Sequence, residues 1–153
     1  MIEATLILVI SAGLALFYLQ VTCETVLAHE FKQCYFESVV RANQLEFASL
    51  RKSVAENGVP GDRVSLFSAL QGDFLVLSYL LKQSGERKRR YTSLERVLMT
   101  YFRLMLVSLR LRHAFKLQEK PAVLKLAALL QYFANVVGRQ TNEAPTVDLA
   151  VSR

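Results

Sequence analysis

A run of twenty uncharged residues near the N-terminus, Ala4 to Cys23, constrains this chain more than any other feature. As an α-helix the run would be about 30 Å long, which matches the hydrocarbon thickness of a bilayer. Its apolar residues fall on every side of that helix, so no polar face remains to meet water. The run therefore predicts a transmembrane helix, and the side chains expected to anchor it in lipid are Leu6, Ile7, Leu8, Val9, Leu14, Leu16, Phe17 and Leu19.

The charges around this run predict an uncleaved helix with a defined orientation. A signal peptide normally has Lys or Arg before its apolar segment, whereas this sequence begins Met1, Ile2, Glu3. All 19 Lys and Arg residues follow the run, and basic residues are retained preferentially on the cytoplasmic side. We therefore expect a single-pass membrane protein with a transmembrane helix over residues 1–23 and most of the chain in the cytoplasm. A helix buried in the core of a larger assembly is the alternative.

The rest of the sequence predicts an all-α fold, because its apolar residues recur at helical spacing and no hairpin pattern is present. Residues 24–57 contain neither Gly nor Pro before Asn57. We expect an amphipathic helix that continues unbroken from the membrane span, about 84 Å from Ile2 to Asn57. Three further helices should pack with it as an up-down bundle over residues 24–139, followed by a flexible tail over residues 140–153.

The second helix is expected over residues 62–83, with Asp62 as its N-cap. Its inward apolar stripe comprises Phe67, Leu70, Phe74, Leu77 and Leu81, widened by Leu66 and Leu80. One charged residue, Asp73, interrupts the apolar sequence near the middle of the helix. A charge at this place argues against a second membrane span and predicts a water-facing edge.

The third and fourth helices complete the predicted bundle. The third should run from Thr92 or Ser93 to Leu117, with a packed side made of Leu94, Val97, Leu98, Tyr101, Met105, Ser108 and Phe115. The fourth should begin at Pro121 and end at Gly138 in a left-handed cap. Because its residues are apolar almost all round, we expect it at the centre of the bundle.

Positive charge is concentrated in one part of the chain. Residues 24–81 have a net charge of −2, whereas residues 82–125 have a net charge of +9. Four successive cations, Arg87, Lys88, Arg89 and Arg90, precede three arginines spaced by seven residues on one helix face, Arg96, Arg103 and Arg110. These seven residues predict a surface that binds anionic lipid or an acidic partner; an ordinary solvated surface is the alternative.

Nucleic acid is a weaker candidate for this basic region. Tyr91, Tyr101 and Phe102 lie near the arginines, and stacking aromatics beside cations hold single strands. Their spacing is that of a helical core, however, and no recognisable nucleic-acid-binding motif accompanies them. The expected partners are therefore the lipid bilayer and other protein subunits.

Residues suited to catalysis or metal binding are sparse. The chain has two histidines and two cysteines, His29, His113, Cys23 and Cys34, and they match neither a zinc nor a di-iron motif. A phosphate-binding loop, a nucleophile elbow and a Cys-x-x-Cys pair are also missing from the sequence. We expect a non-enzymatic protein without a metal or cofactor.

Three functional hypotheses follow from the sequence. The first is a structural or assembly subunit of a membrane-associated complex. The second is a recruitment module whose basic helix binds an acidic partner, anionic lipid or nucleic acid. The third is a filament subunit, because an apolar half followed by an amphipathic half in one long N-terminal helix resembles the layout of type IV pilins. That resemblance covers layout alone, since the basic leader and the Gly-Phe processing site of that family are absent.

Overall fold

The protein is all-helical in this computed structural model, which describes residues 1–28, 35–85 and 93–143. No strand occurs in these three ranges, and they contain six helices. The helices are α1 (Ile2–Leu27), α2 (Phe36–Asn43), α3 (Phe47–Asn57), α4 (Arg63–Gly85), α5 (Ser93–Ala114) and α6 (Lys120–Glu143). The chain divides into two compact units, Met1–Glu30 and Phe31–Arg153.

The second unit is organised around α6, which contacts α2, α3, α4 and α5. Its side chains are buried on nearly every side, and Val123, Leu126 and Leu130 have no exposed surface. An almost wholly apolar helix is stable in water only when its neighbours cover it. The prediction that this helix forms the centre of a bundle-like core is therefore confirmed.

The predicted unbroken helix from Ile2 to Asn57 is wrong, because the backbone turns sharply between α2 and α3. Gln44 adopts the left-handed conformation with φ 51°, and the Leu45 N–H donates to the Val40 carbonyl at 3.1 Å. This arrangement closes the end of α2 as a glycine-type C-cap does, although no glycine is present. Burial of Leu45 and Phe47 favours the turn, since both side chains would otherwise leave the core.

Two buried polar side chains hold α2 and α3 at their N-termini. Neither helix has a side-chain cap of its own. Asp73 of α4 accepts hydrogen bonds from the backbone N–H groups of Glu46 at 2.9 Å and Phe47 at 2.7 Å. Asn135 of α6 accepts the N–H groups of Tyr35 at 3.1 Å and Phe36 at 2.9 Å. Asp73 of α4 thus caps α3, and Asn135 of α6 caps α2, so each cap comes from a neighbouring helix.

The expected water-facing position of Asp73 is therefore wrong. Its side chain is 7% exposed, and its carboxylate lies at the positive N-terminal end of α3. The sequence pattern correctly marked this charge as unusual. The pattern did not indicate that a turn at Gln44 would bring the backbone N–H groups of Glu46 and Phe47 to the Asp73 carboxylate.

The remaining predicted boundaries are confirmed or corrected at particular residues. Asp62 caps α4 by accepting the Ser65 N–H at 3.3 Å. Helix α5 ends at Ala114 instead of Leu117, because Lys116 adopts φ 54°. Gly138 lies inside α6 instead of ending it, so residues 140–143 of the predicted tail are helical; residues 144–153 lie outside the described residues.

Gly138 has a packing function in place of the predicted capping function. A Cβ atom at this position would lie 2.7 Å from the Tyr35 Cβ and 2.8 Å from the Tyr35 carbonyl oxygen. Such contacts are closer than real Cβ atoms tolerate. The glycine therefore allows the backbone just before α2 to approach α6, at the place where Asn135 provides its cap.

Candidate functional site

Helix α1 presents apolar side chains to its surroundings along most of its length. Leu8 is 70% exposed and Phe17 is 66% exposed. Seven of the eight predicted anchor residues are exposed, and Leu19 is partly buried. Only Glu3 and Glu24 of this 26-residue helix are charged, and they lie near its two ends. Such a helix is unfavourable in water, because each apolar side chain would lose about 1.5–3 kcal/mol relative to burial.

The three threonine hydroxyl groups of α1 are satisfied within the helix. Thr5 donates to the Ile2 carbonyl at 2.8 Å, and Thr22 donates to the Tyr18 carbonyl at 2.9 Å. Thr25 makes the same kind of bond to Val21 at 2.8 Å. A hydroxyl that bonds its own helix needs no water, which is the requirement that a hydrocarbon environment imposes.

Three helices among the described residues are long and apolar enough to cross a membrane: Ile2–Leu27, Arg63–Gln83 and Lys120–Asn142. They differ in how much of each is covered by protein. The apolar window of α1 is 6% buried, that of α4 is 33% buried and that of α6 is 67% buried. Helix α6 is thus a core helix, while α1 and one side of α4 remain uncovered.

The predicted basic residues of α5 are all exposed. Arg96, Arg103 and Arg110 lie along one strip of the helix, since a spacing of seven residues drifts by only about 20° per repeat. Arg110 also lies over the ring of Phe67 at 5.8 Å and donates to the Gln71 side chain at 3.5 Å. Arg87, Lys88, Arg89 and Arg90 lie outside the described residues.

An apolar strip, which the sequence analysis did not identify, runs beside these arginines on α5. Leu104, Val107 and Leu111 are 44%, 51% and 54% exposed. Val107 follows Arg103 by four residues, so the two are neighbours on the helix surface. The buried side of α5 instead consists of Leu98, Tyr101, Phe102, Leu106 and Leu109.

The predicted packed side of α5 is therefore partly wrong. Leu98 and Tyr101 are buried as expected, and Met105 and Ser108 are partly buried. The other three, Leu94, Val97 and Phe115, are exposed. The helix has more apolar residues than one face can hold, so the sequence pattern could not show which of them face the core.

Helix α4 presents a second exposed apolar strip. Leu75, Val76 and Tyr79 are exposed, and between Val64 and Leu81 the only charged residue is the buried Asp73. The inward stripe predicted for this helix is largely confirmed, since Leu66, Leu70, Phe74, Leu77 and Leu81 are buried and Phe67 and Leu80 are partly buried.

Contacts between α4 and α5 join the two strips into one surface, which we call the α4–α5 face. It comprises the exposed strips Leu75, Val76 and Tyr79 of α4 and Leu104, Val107 and Leu111 of α5, together with the exposed Arg96, Arg103 and Arg110 of α5. Phe74 stacks on Phe102 with ring centroids 4.2 Å apart. Gln71, which contacts Arg110, precedes Leu75 by one helical turn. Arg110 therefore lies beside both strips.

Three titratable side chains, Arg63, His113 and Glu119, form a structural clamp. One Glu119 oxygen lies 3.1 Å from His113 Nδ1, and the other lies 3.3 Å from Arg63 Nε. This carboxylate joins the start of α4, the end of α5 and the start of α6. The adjoining cleft, about 630 Å³ and open to solvent, is lined by residues that include Val59, Lys120 and Leu124.

No group of three or more metal-ligating side chains is found in the part of the chain that the structure describes. Two of the residues considered above, His29 and Cys34, lie outside that part. The expectation of a non-enzymatic protein without a metal stays a prediction.

No known protein family, curated protein or solved structure matches this chain.

Proposed function

We propose that this protein is a non-enzymatic structural or assembly subunit of a membrane-associated complex, anchored by α1. The observation that supports the proposal most strongly is the exposed apolar surface of α1, which extends over the length of a bilayer core. A helix of this kind is stable in lipid or against other apolar helices. The up-down arrangement of the remaining helices belongs to the same proposal.

The proposed topology is single-pass, with the N-terminus outside and the bundle in the cytoplasm. Its support is the distribution of charge, since every Lys and Arg residue follows the apolar segment. Protease added to sealed inside-out vesicles should digest the bundle, whereas the same protease outside right-side-out vesicles should leave it intact. The opposite pattern would reverse the topology.

The chain also has the surfaces that an assembly subunit needs. Exposed apolar side chains occur on α1, α4 and α5, and extensive exposed apolar surface on a folded protein is typical of a site that contacts another protein or a membrane. The buried caps fix α3 to α4 through Asp73 and α2 to α6 through Asn135, so these surfaces belong to a defined structure.

Cross-linking in intact native membranes tests the assembly role. We expect the full-length protein to be recovered with partner subunits at a constant stoichiometry. The control is Leu14→Arg, which places a charge in the middle of α1 at a cost of about 2.5–3.5 kcal/mol for insertion and should abolish the complex. A monodisperse monomer without cross-linked partners in native membranes would refute this role.

A second candidate function is recruitment of an acidic partner by the basic segment. It is supported by the exposure of Arg96, Arg103 and Arg110. Association through several cations should weaken steeply with added salt. Replacing Arg87, Lys88, Arg89 and Arg90 with Gln should then abolish recruitment, and unchanged recruitment would exclude this function.

A further inference from the structure

Two surfaces of the second unit, that of α2 and α3 and the α4–α5 face, differ in their exposed residues. This difference indicates what each surface contacts. Helices α2 and α3 have no large exposed apolar side chain, and their exposed charges include acidic and basic residues such as Glu37, Arg41, Lys52 and Glu56. This is the composition of an ordinary water-facing surface. The α4–α5 face, in contrast, is apolar and basic.

The α4–α5 face has no exposed carboxylate. The only acidic residues of the two helices are Asp73, which is buried as the cap of α3, and Glu95, which is partly buried. Arg96 and Arg103 therefore contribute positive charge without a nearby exposed acidic side chain from their own helix or from α4. A surface of this kind is complementary to a surface that carries negative charge.

We propose that the α4–α5 face lies on the surface of a membrane that contains anionic phospholipid. The apolar strips would enter the boundary between headgroups and acyl chains, and Arg96, Arg103 and Arg110 would bind lipid phosphates. This inference rests on the membrane anchorage proposed above. It adds that the folded unit, and not α1 alone, contacts lipid, and that this contact depends on lipid charge.

The arrangement of the strips favours a membrane over a protein partner. The arginines run beside the apolar strip of α5, a helix of 22 residues that is about 33 Å long, and Arg110 also contacts Phe67 and Gln71 of α4. A protein would need an acidic ridge flanked by apolar surface over the same length. An anionic bilayer provides apolar and negatively charged groups at every point of its surface.

Tryptophan fluorescence can test this contact without background, because the chain contains no Trp. The full-length protein is reconstituted in vesicles of phosphatidylcholine, with or without phosphatidylglycerol, and quenched by lipids that are brominated near the headgroup end of the acyl chain. Leu104→Trp reports on the α4–α5 face, and Ala42→Trp reports on the exposed side of α2 as the matched control. Leu8→Trp reports on α1.

We expect strong quenching of Leu104→Trp in anionic vesicles and little quenching of Ala42→Trp. A second variant replaces Arg96, Arg103 and Arg110 with Gln in the Leu104→Trp background. The ratio of molecules whose α4–α5 face contacts lipid to molecules whose face does not should then fall about 100-fold, since each surface cation contributes about fivefold. Replacing the same three residues with Lys keeps the charges and should preserve most of the binding. Circular dichroism of equal intensity would show that both triple variants are folded.

Three results would overturn the proposal, and they are distinguishable. Quenching of Leu104→Trp as weak as that expected for Ala42→Trp, with Leu8→Trp quenched, would leave the anchorage standing and refute contact of the face with lipid. A blue-shifted Leu104→Trp that bromine does not quench would show that protein, such as a second copy of the chain, covers the face. An unquenched Leu8→Trp would refute the anchorage itself.

Discussion

Replacement of Asp73 tests whether a buried carboxylate holds α3 in place. In the folded protein this side chain accepts two backbone hydrogen bonds, of 2.9 and 2.7 Å, from the start of a helix that has no side-chain cap of its own. The Asp73→Ala variant would leave the buried Phe47 N–H and the partly buried Glu46 N–H without this partner. The Asp73→Asn variant would keep one acceptor oxygen and remove the charge.

The magnitudes differ because the two variants remove different interactions. An unsatisfied buried group costs about 1–3 kcal/mol, so Asp73→Ala should lower the free energy of unfolding by about 3 kcal/mol. For Asp73→Asn the loss of the favourable helix-terminus interaction, about 0.3–1 kcal/mol, is opposed by relief of the desolvation cost of a buried charge. We therefore expect a change of about 1 kcal/mol or less.

Chemical denaturation in a mild nonionic detergent, followed by helical circular dichroism, measures both variants. The Ala variant should unfold at a clearly lower denaturant concentration than the Asn variant, which should remain close to the original protein. If Asp73→Ala changed stability by less than about 0.5 kcal/mol, as a typical surface substitution does, the capping role would be refuted. Equal losses for both variants would also contradict it.

The same carboxyl group should make stability depend on pH. Burial raises the pKa of Asp73 above its ordinary value, and hydrogen bonds from the Phe47 and Glu46 backbone oppose this rise only in part. A carboxyl with a higher pKa in the folded protein stabilises the fold fully below the pKa of the unfolded chain and loses that contribution as pH rises through the folded value. The free energy of unfolding should therefore fall with rising pH across that window, and Asp73→Asn should remove this part of the pH dependence.

The remaining predictions concern close packing. Gly138→Ala should destabilise the protein by about 1–3 kcal/mol, because its Cβ would collide with Tyr35, whereas Gly72→Ala, which meets nothing within 4 Å, should stabilise it by up to about 1 kcal/mol. Leu109→Ala should cost about 2–5 kcal/mol because Leu109 is fully buried, and the exposed Leu104→Ala should cost less than about 0.5 kcal/mol in detergent. The same denaturation assay checks all four, and a reversed order within either pair would contradict the packing described.

The parts of the fold that local pattern determines were predictable from the sequence. Periodicity and the Asp62 cap identified α4, and the apolar composition of α6 placed it at the centre. The turn at Gln44 was not predictable in this way, because neither Gly nor Pro marks it. Its stability comes from contacts between distant parts of the chain, above all the capping of α3 by Asp73.

The candidate surfaces were predictable only in part. The spacing of Arg96, Arg103 and Arg110 correctly placed them on one exposed strip. The apolar strips beside them were missed, because apolar residues occur on several sides of α5. Which of these residues face the core depends on tertiary packing, such as the stacking of Phe74 on Phe102.

Alkaline extraction of membranes tests the proposed anchorage by α1 most directly. The untagged full-length protein should stay in the membrane pellet after a carbonate wash and enter solution only when detergent is added. Recovery of the intact protein in the carbonate supernatant, without detergent, would contradict the account.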